Sequence, residues 1–264
     1  ATKIVASKAR RQQVVDALLP VPGTTDGEVE NQIERLVERP LGVLVAGFLA
    51  VLFLLPASAA AAVFALIAVL GAWEWARLMQ AGPVGRLAFP AIVLLSCLLA
   101  YWRPGFAFTP LWALAVLFWL AVMPVWLVRG WRPGRAGYLV GWLLLVPTWA
   151  ALVGLHGRAP LLLLAVMAAV WVADSAAYFT GRAFGRHKLA PAISPGKTWE
   201  GVAGAVVGVL VYGMFVSASL PVLQGFAPVS LAGFLLLLTA FSIIGDLFES
   251  LIKRQAGIKD SSQL

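Results

Sequence analysis

The sequence contains a single cysteine, Cys97, so the chain cannot form an internal disulfide. Charged residues are also scarce: they make up 12% of the 264 residues, whereas a soluble domain carries about 25%. Long strand-like alternation of polar and apolar residues is missing, and the apolar runs are instead continuous. Hydrophobic residues account for 61% of the chain. This composition excludes a soluble globular domain and predicts an all-α, polytopic membrane helical bundle.

Eight apolar segments predict the membrane helices, and prolines mark most of the turns between them. The first segment begins only at Leu41, so we expect no secretory signal peptide. Residues 1–40 mix basic and acidic side chains and are predicted to form a polar cytoplasmic extension, whereas residues 41–264 form the transmembrane domain. The segments are about 41–55, 57–78, 85–101, 109–128, 136–155, 160–180, 199–220 and 228–250.

The lysines and arginines predict the orientation of these helices. With the N-terminus in the cytoplasm, 18 of the 20 lie on the cytoplasmic side, and only Arg103 and Arg158 lie opposite. This asymmetry is the positive-inside pattern, so the net charge of +8 is no sign of nucleic-acid binding. Both ends of these 264 residues are therefore predicted to be cytoplasmic.

The acidic residues fall on the same side. Outside the extension there are six, and each lies in or beside the cytoplasmic end of a predicted helix: Glu74, Asp174, Glu200, Asp246, Glu249 and Asp260. Ionisable groups in membrane helices usually face protein or a water-filled cavity. The acids thus predict a polar cavity that opens to the cytoplasm, while Glu74 and Arg77 are expected to form an i, i+3 pair.

Residues 170–201 combine an acid within an apolar run, a basic loop rich in glycine and the predicted start of a helix. The residues from Ser194 to Thr198 are predicted to begin that helix, with proline near its first turn. Lys197 would then lie beside free backbone N–H groups, which favour phosphate. The alternative is that Lys197 is only a positive-inside lysine, and the same alternative applies to Arg182.

Two helical faces carry carboxylates at similar depth. Asp246, Glu249 and Lys253 recur at helical spacing, as do Asp174 and Tyr178 on the sixth segment. Mg²⁺ is commonly held by one or two carboxylates together with water and substrate phosphates, so the two faces could share an ion. The alternative is that each aspartate pairs with an arginine or caps a helix. The residues alone thus predict a membrane protein that handles phosphate and metal.

Two motifs resemble those of the CDP-diacylglycerol synthases, also called phosphatidate cytidylyltransferases. SPGKTWEG at residues 194–201 resembles their S-P-x-K-T-x-E-G element. SLIKR at 250–254, followed by KDSS at 259–262, resembles the start of their signature, S-x-x-K-R-x4-K-D-x-S. The resemblance extends from about Leu41 to the end of the sequence, and residues 174–181 and 245–246 also match family positions.

In one respect the sequence departs from the family pattern. The family signature continues into P-G-H-G-G, then D-R-x-D and a further apolar helix, whereas this sequence ends at Leu264. Family members use acids of that segment to bind metal. We therefore expect that the metal site of these 264 residues is incomplete, that their activity is impaired, and that the family's ninth helix is not among them.

The resemblance implies transfer of CMP from CTP to phosphatidic acid, which yields CDP-diacylglycerol and pyrophosphate for phospholipid synthesis. It implies Mg²⁺ or another divalent cation, membrane lipids as partners, and a multi-pass location in the cell inner membrane; a homodimer stays open. Asp246 and Asp174 would bind the metal. The implied catalytic residues are Asp246, Lys197, Lys253 and Arg254, and the implied substrate-binding residues are Ser194, Lys197, Thr198, Arg182, Lys259 and Asp260.

Two other functions remain as alternatives. A CTP-dependent lipid-alcohol kinase of the dolichol or phytol kinase type shares the nucleotide and a related membrane fold, but the two motifs are those of the synthases. A membrane transporter would also place carboxylates in membrane helices. No inverted repeat is visible, however, and the polar groups cluster at one face.

Overall fold

The computed structural model describes residues 42–257 apart from residues 103 and 133; the side chains of 104–109 and 135 are likewise outside the description. The predicted polar extension, residues 1–40, lies outside the described residues, as do Lys259 and Asp260. Helix α1 (Gly42–Leu54) belongs to a unit that ends at Leu54, and it is shorter than a membrane span, as its apolar segment predicted.

The second unit begins at Leu55 and is built almost entirely of helices. A single π-helical turn, Phe118–Val122, joins α4 to α5, so that Pro110–Arg129 forms one apolar span. The described residues contain seven helices long and apolar enough to cross a membrane, which confirms the all-α polytopic prediction. The elements are α2 (Ala57–Leu78), α3 (Pro83–Trp102), α4 (Pro104–Leu117), α5 (Met123–Arg129), α6 (Gly137–Arg158), α7 (Pro160–Phe184), β1 (Lys188–Ala190), β2 (Ser194–Thr198), α8 (Trp199–Ser219) and α9 (Pro228–Gln255).

The segment between α7 and α8 differs from the prediction. Helix α7 continues to Phe184, and residues 194–198 form a strand instead of a helix start. This strand pairs antiparallel with β1, with Lys188 opposite Thr198 and Ala190 opposite Ser194. Pro195 is compatible with the strand because a two-stranded sheet has only edge strands. The helix begins one residue after Thr198, whose backbone is extended.

Small residues let α7 and α8 pack closely. A Cβ atom added at Gly204 would lie 2.0 Å from Oγ1 of Thr180, and one added at Gly208 would lie 2.8 Å from Cβ of Ala176. At Gly201 it would lie 2.9 Å from the carbonyl oxygen of Ala177. Gly201, Gly204 and Gly208 therefore form a packing face, the small-residue contact typical of membrane helices.

Helix α9 forms two apolar contacts. Near its start, Leu235 packs against small and branched residues of α7 and α8. Near its end, Phe248 and Ile252 pack with Trp126 of α5 and with residues of α6. Ile193, between the two strands, also packs against this second cluster, so the hairpin is anchored beside the end of α9.

Candidate functional site

One ion pair joins the first motif to Asp246, which lies four residues before the second motif on α9. The ammonium of Lys197, on β2, contacts a carboxylate oxygen of Asp246 on α9. The Lys197 side chain is 24% exposed and that of Asp246 is 51% exposed, so the pair lies at a partly open surface. Residues 49 positions apart in the chain are thereby brought into contact. The Lys197 side chain therefore has a carboxylate partner, while its role toward a substrate stays a prediction.

Asp174 of α7 is the third charged member of this group. It lies close enough to Asp246 and Lys197 for its charge to interact with both. The cluster therefore has two carboxylates and one ammonium, supplied by α9, α7 and β2. The sequence predicted that Asp174 and Asp246 face a common polar region, and the structure places them together.

The base of the hairpin is fixed by Glu200 in the first turn of α8. Its carboxylate accepts hydrogen bonds from the backbone N–H of His187 at 3.2 Å, and one of its oxygens lies 2.7 Å from Nδ1 of the His187 ring. The N–H of Trp199 donates in turn to the carbonyl of His187 at 2.9 Å. These contacts hold the two ends of the hairpin side by side.

Sequence reasoning missed this clamp. The sequence places Glu200 only among the acids at the cytoplasmic ends of helices, and it assigns His187 no role. The two residues are 13 positions apart and lie on opposite sides of an irregular turn, so no helical or strand periodicity relates them. A carboxylate just inside the start of α8 was the only signal, and the dipole explains that equally well.

Thr198 caps α8. It also packs against Gly181, in α7, and against Gly185, which directly follows α7. Its hydroxyl accepts a hydrogen bond from the N–H of Gly201 at 3.1 Å, and the residue is buried. A Cβ atom at Gly181 would lie 3.0 Å from Oγ1 of Thr198. At Gly185 it would lie 2.1 Å from the carbonyl oxygen of Gly181 and 2.8 Å from Cγ2 of Thr198. The end of α7 thus leaves no room for a side chain.

Gly185→Ala is therefore expected to destabilise the hairpin and displace Lys197. The clash with a backbone carbonyl cannot be relieved by a rotamer change, so we expect a loss of about 1–3 kcal/mol, typical of overpacking. The measurement is the thermal unfolding midpoint in detergent. Gly196→Ala is the matched control, because a Cβ atom there meets nothing within 4 Å. Equal midpoints for the two variants would contradict this packing argument.

The remaining site residues of the prediction occupy separate positions around this cluster. Arg182 donates to the hydroxyl of Tyr178 at 3.0 Å, on the exposed side of α7. Lys253 pairs with Glu249 at 2.5 Å, one turn apart on α9, and Arg254 is exposed beside it. Ser194 pairs with Ala190 in the hairpin. Their roles toward a substrate stay predictions, as do those of Lys259 and Asp260.

A divalent cation could be held by Asp174 and Asp246. Among the described residues there is no cluster of three or more His, Cys, Asp and Glu side chains that could hold a metal ion. Two nearby carboxylates nevertheless fit Mg²⁺, which often takes one or two protein carboxylates and completes its shell with water and phosphate oxygens. An ion at Asp246 would compete with the ammonium of Lys197 for the same carboxylate.

Comparison with known proteins identifies the family. The sequence profile of the cytidylyltransferase family matches residues 40–264. A phosphatidate cytidylyltransferase of Pseudomonas aeruginosa is 41% identical over 204 residues, which cover 74% of each chain. One of Haemophilus influenzae is 51% identical over 107 residues, 39% of this chain and 36% of that relative. One of Thermotoga maritima is 40% identical over 103 residues, 38% of each chain. The resemblance drawn from the two motifs is thus confirmed, and the chain belongs to the cytidylyltransferase family.

Proposed function

We propose that this protein transfers CMP from CTP to phosphatidic acid, giving CDP-diacylglycerol and pyrophosphate in phospholipid biosynthesis. The observation that carries the proposal is the contact between Lys197 and Asp246. It joins the SPGKTWEG motif to Asp246, a position that also matches the family, in one charged cluster at a partly open surface. The relatives named above, which are phosphatidate cytidylyltransferases, support the same reaction.

In this reaction an oxygen of the lipid phosphate attacks the α-phosphorus of CTP. A new P–O bond forms, the bond between the α-phosphorus and its bridging oxygen breaks, and pyrophosphate leaves with the bonding electrons. A phosphate monoester is mostly ionised near neutral pH, since its second pKa is about 6, so no general base is required. The protein therefore contributes positioning and charge neutralisation, which dominate phosphoryl-type transfers.

Lys197 is the residue best placed to steady a phosphate of CTP or of the lipid. Its ammonium projects from β2, whose C-terminal end is held by the Glu200 clamp and by the cap at Thr198. A phosphate that enters the cluster competes with Asp246 for this ammonium. Lys253 and Arg254 follow Asp246 by seven and eight residues, about two turns along α9, and they add positive charge at that end of the helix.

A divalent cation bound at Asp246 and Asp174 would supply charge neutralisation for the phosphates. The two aspartates would orient that ion relative to Lys197, because they belong to two helices that pack beside the hairpin. The combination of one lysine and two carboxylates also makes the cluster selective for phosphate that arrives with a cation. Isolated anions are repelled by the carboxylates, whereas phosphate accompanied by a cation is accepted.

Neither alternative function gains support from the described residues or the relatives. A single assay separates all three: membranes that contain the full-length protein are incubated with labelled CTP, phosphatidic acid and a polyprenol. The proposed function predicts label in CDP-diacylglycerol. A phosphorylated alcohol would instead identify a lipid kinase, and absence of any labelled lipid from an abundant, folded protein would count against both enzymes.

We propose further that the protein lies in the cell inner membrane with its lysine- and arginine-rich helix ends in the cytoplasm. Arg186 and Arg158, just beyond one end of α7 and just before the other, are expected on opposite sides. In intact cells, an impermeant maleimide should label Arg158→Cys, whereas Arg186→Cys should be labelled only after the membrane is permeabilised. The native Cys97 is 1% exposed, so the background is low. Labelling of both positions from one side would contradict this orientation.

A further inference from the structure

A second cavity lies away from the charged cluster. It has a volume of about 520 Å³, within the usual range for ligand sites, and it opens between the ends of α2 and α9 and the start of α6. Ile252, on its wall, follows Asp246 by six residues, a rise of about 9 Å along α9. Its described lining residues include neither Lys197 nor an aspartate.

The lining of this cavity is suited to an anion. Among the described lining residues Arg132 is the only charged one, and Gln80 and Tyr138 supply further hydrogen-bond donors. No carboxylate belongs to that described lining, and within the described part of the chain Arg132 forms no salt bridge. An arginine that faces a polar cavity without a carboxylate leaves its planar array of donors open to a phosphate.

Gln80 adopts a backbone conformation that glycine would favour. Its φ is +52°, and it is the only described residue other than glycine with a positive φ. It follows the last residues of α2, where its N–H bonds the carbonyl of Arg77 and the N–H of Ala81 bonds the carbonyl of Ala76. This is a Schellman ending, whose left-handed position is usually glycine. A side chain kept there at a conformational cost, and lining a cavity, indicates a role for that side chain.

The opposite wall is rigidly held. Gln255, at the end of α9, donates from Nε2 to the carbonyls of Gly130 and Trp131, at 3.0 and 2.9 Å. The indole of Trp126 donates to the same Trp131 carbonyl at 2.8 Å, and the guanidinium of Arg129 lies 5.5 Å from the centre of the Trp131 ring. Arg132 follows directly on this braced turn, so the backbone that carries it is fixed before any ligand arrives.

We propose that this cavity is a second phosphate-binding site, distinct from the cluster of Lys197 and Asp246. Arg132 binds the phosphate, and Gln80 and Tyr138 donate hydrogen bonds to its oxygens. The ligand is a phosphate ester or free phosphate. Because the cavity lies at the ends of membrane helices and has Leu78 and Ile252 on its wall, a lipid headgroup and a soluble phosphate can both reach it.

The test uses native mass spectrometry of the full-length protein titrated with dioctanoyl phosphatidate. Arg132→Gln should weaken binding at least about tenfold, as expected when a charge-assisted hydrogen bond is lost. Gln80→Gly should also weaken binding, yet its thermal midpoint should stay equal or rise because the left-handed strain is removed. Arg186→Gln removes a charge elsewhere at the same helix ends and should leave this binding unchanged. The Arg132-dependent binding should persist in a Lys197→Ala background, which separates this site from the proposed catalytic one.

Two further arms identify the source of the phosphate. Displacement of dioctanoyl phosphatidate by inorganic phosphate would assign the site to soluble phosphate, and resistance to it would assign the site to a lipid headgroup. Equal affinity of Arg132→Gln and the unchanged protein would overturn the proposal. So would equally tight binding of neutral dioctanoylglycerol, or disappearance of the Arg132-dependent binding in Lys197→Ala.

Discussion

Lys197→Ala should reduce CDP-diacylglycerol formation by the full-length protein by about 100-fold or more, the size of effect seen when a preorganised donor to a reacting oxyanion is removed. The loss follows because no other described cation contacts Asp246, and the hairpin presents this ammonium alone to the cluster. Lys197→Met, which keeps the aliphatic stem, should lose as much. Lys197→Arg should rescue poorly, since a planar guanidinium replaces a compact charge.

The control for this experiment is Lys188→Ala. Lys188 lies in the same hairpin, directly opposite Thr198, and is exposed. The Lys188→Ala substitution removes an equal charge without touching the cluster, so the rate of CDP-diacylglycerol formation should stay near that of the unchanged protein. The thermal unfolding midpoint of Lys197→Ala shows whether lost turnover reflects lost folding. Because Asp246 is half exposed, the loss of its partner should cost little stability and leave that midpoint nearly unchanged. Unchanged kinetics in Lys197→Ala would reduce the residue to a structural contact of the hairpin.

Asp246→Asn should abolish turnover, and Asp174→Asn should weaken it or raise the Mg²⁺ concentration needed for half-maximal rate. The two effects differ because Asp246 also positions Lys197, whereas Asp174 interacts with the pair at longer range. An asparagine keeps the shape but removes the charge that a divalent ion requires. The measurement is initial rate across a Mg²⁺ titration, with labelled CTP as substrate.

Glu74→Gln provides the comparison for both aspartate variants. Glu74 is also a carboxylate at a membrane-helix end, but it pairs with Arg77 at 3.4 Å, as its i, i+3 spacing predicted. Its neutralisation should leave the Mg²⁺ dependence unchanged. If both aspartate variants kept near-normal rates at every Mg²⁺ concentration, the assignment of a metal to this cluster would be wrong.

The helices were predictable because continuous apolar runs bounded by prolines leave few alternatives in a membrane. The convergence of Asp174 and Asp246 was also accessible, because charges in apolar helices must face a polar region. The contact of Lys197 with Asp246 was not predicted, since it depends on the strand that carries Lys197. The hairpin could not be predicted from the sequence. Its strands have three and five residues, too short for alternation to be recognised, and Ser194-Pro195 resembles a helix start as much as an edge strand.

The clamp and the cavity were beyond sequence reasoning for a related reason. His187 and Glu200 pair through the three-dimensional path of an irregular turn, and Gln80 shows its unusual backbone only once the end of α2 is built. Both features depend on tertiary contacts between segments without shared periodicity. The sequence shows glutamine at position 80, but only the structure shows that its backbone takes the left-handed conformation that usually favours glycine.

The braced hairpin has a thermodynamic consequence for substrate capture. A lysine on a free loop would lose backbone freedom when it met a phosphate, at roughly 1–2 kcal/mol for each residue ordered. Here Glu200 and Thr198 hold the base of the hairpin as the protein folds, and Ile193 anchors the turn. Association then immobilises little more than the side chain of Lys197 itself. The entropic penalty of ordering the backbone around Lys197 should therefore contribute little to substrate affinity. This penalty should stay small even when salt screens the charges.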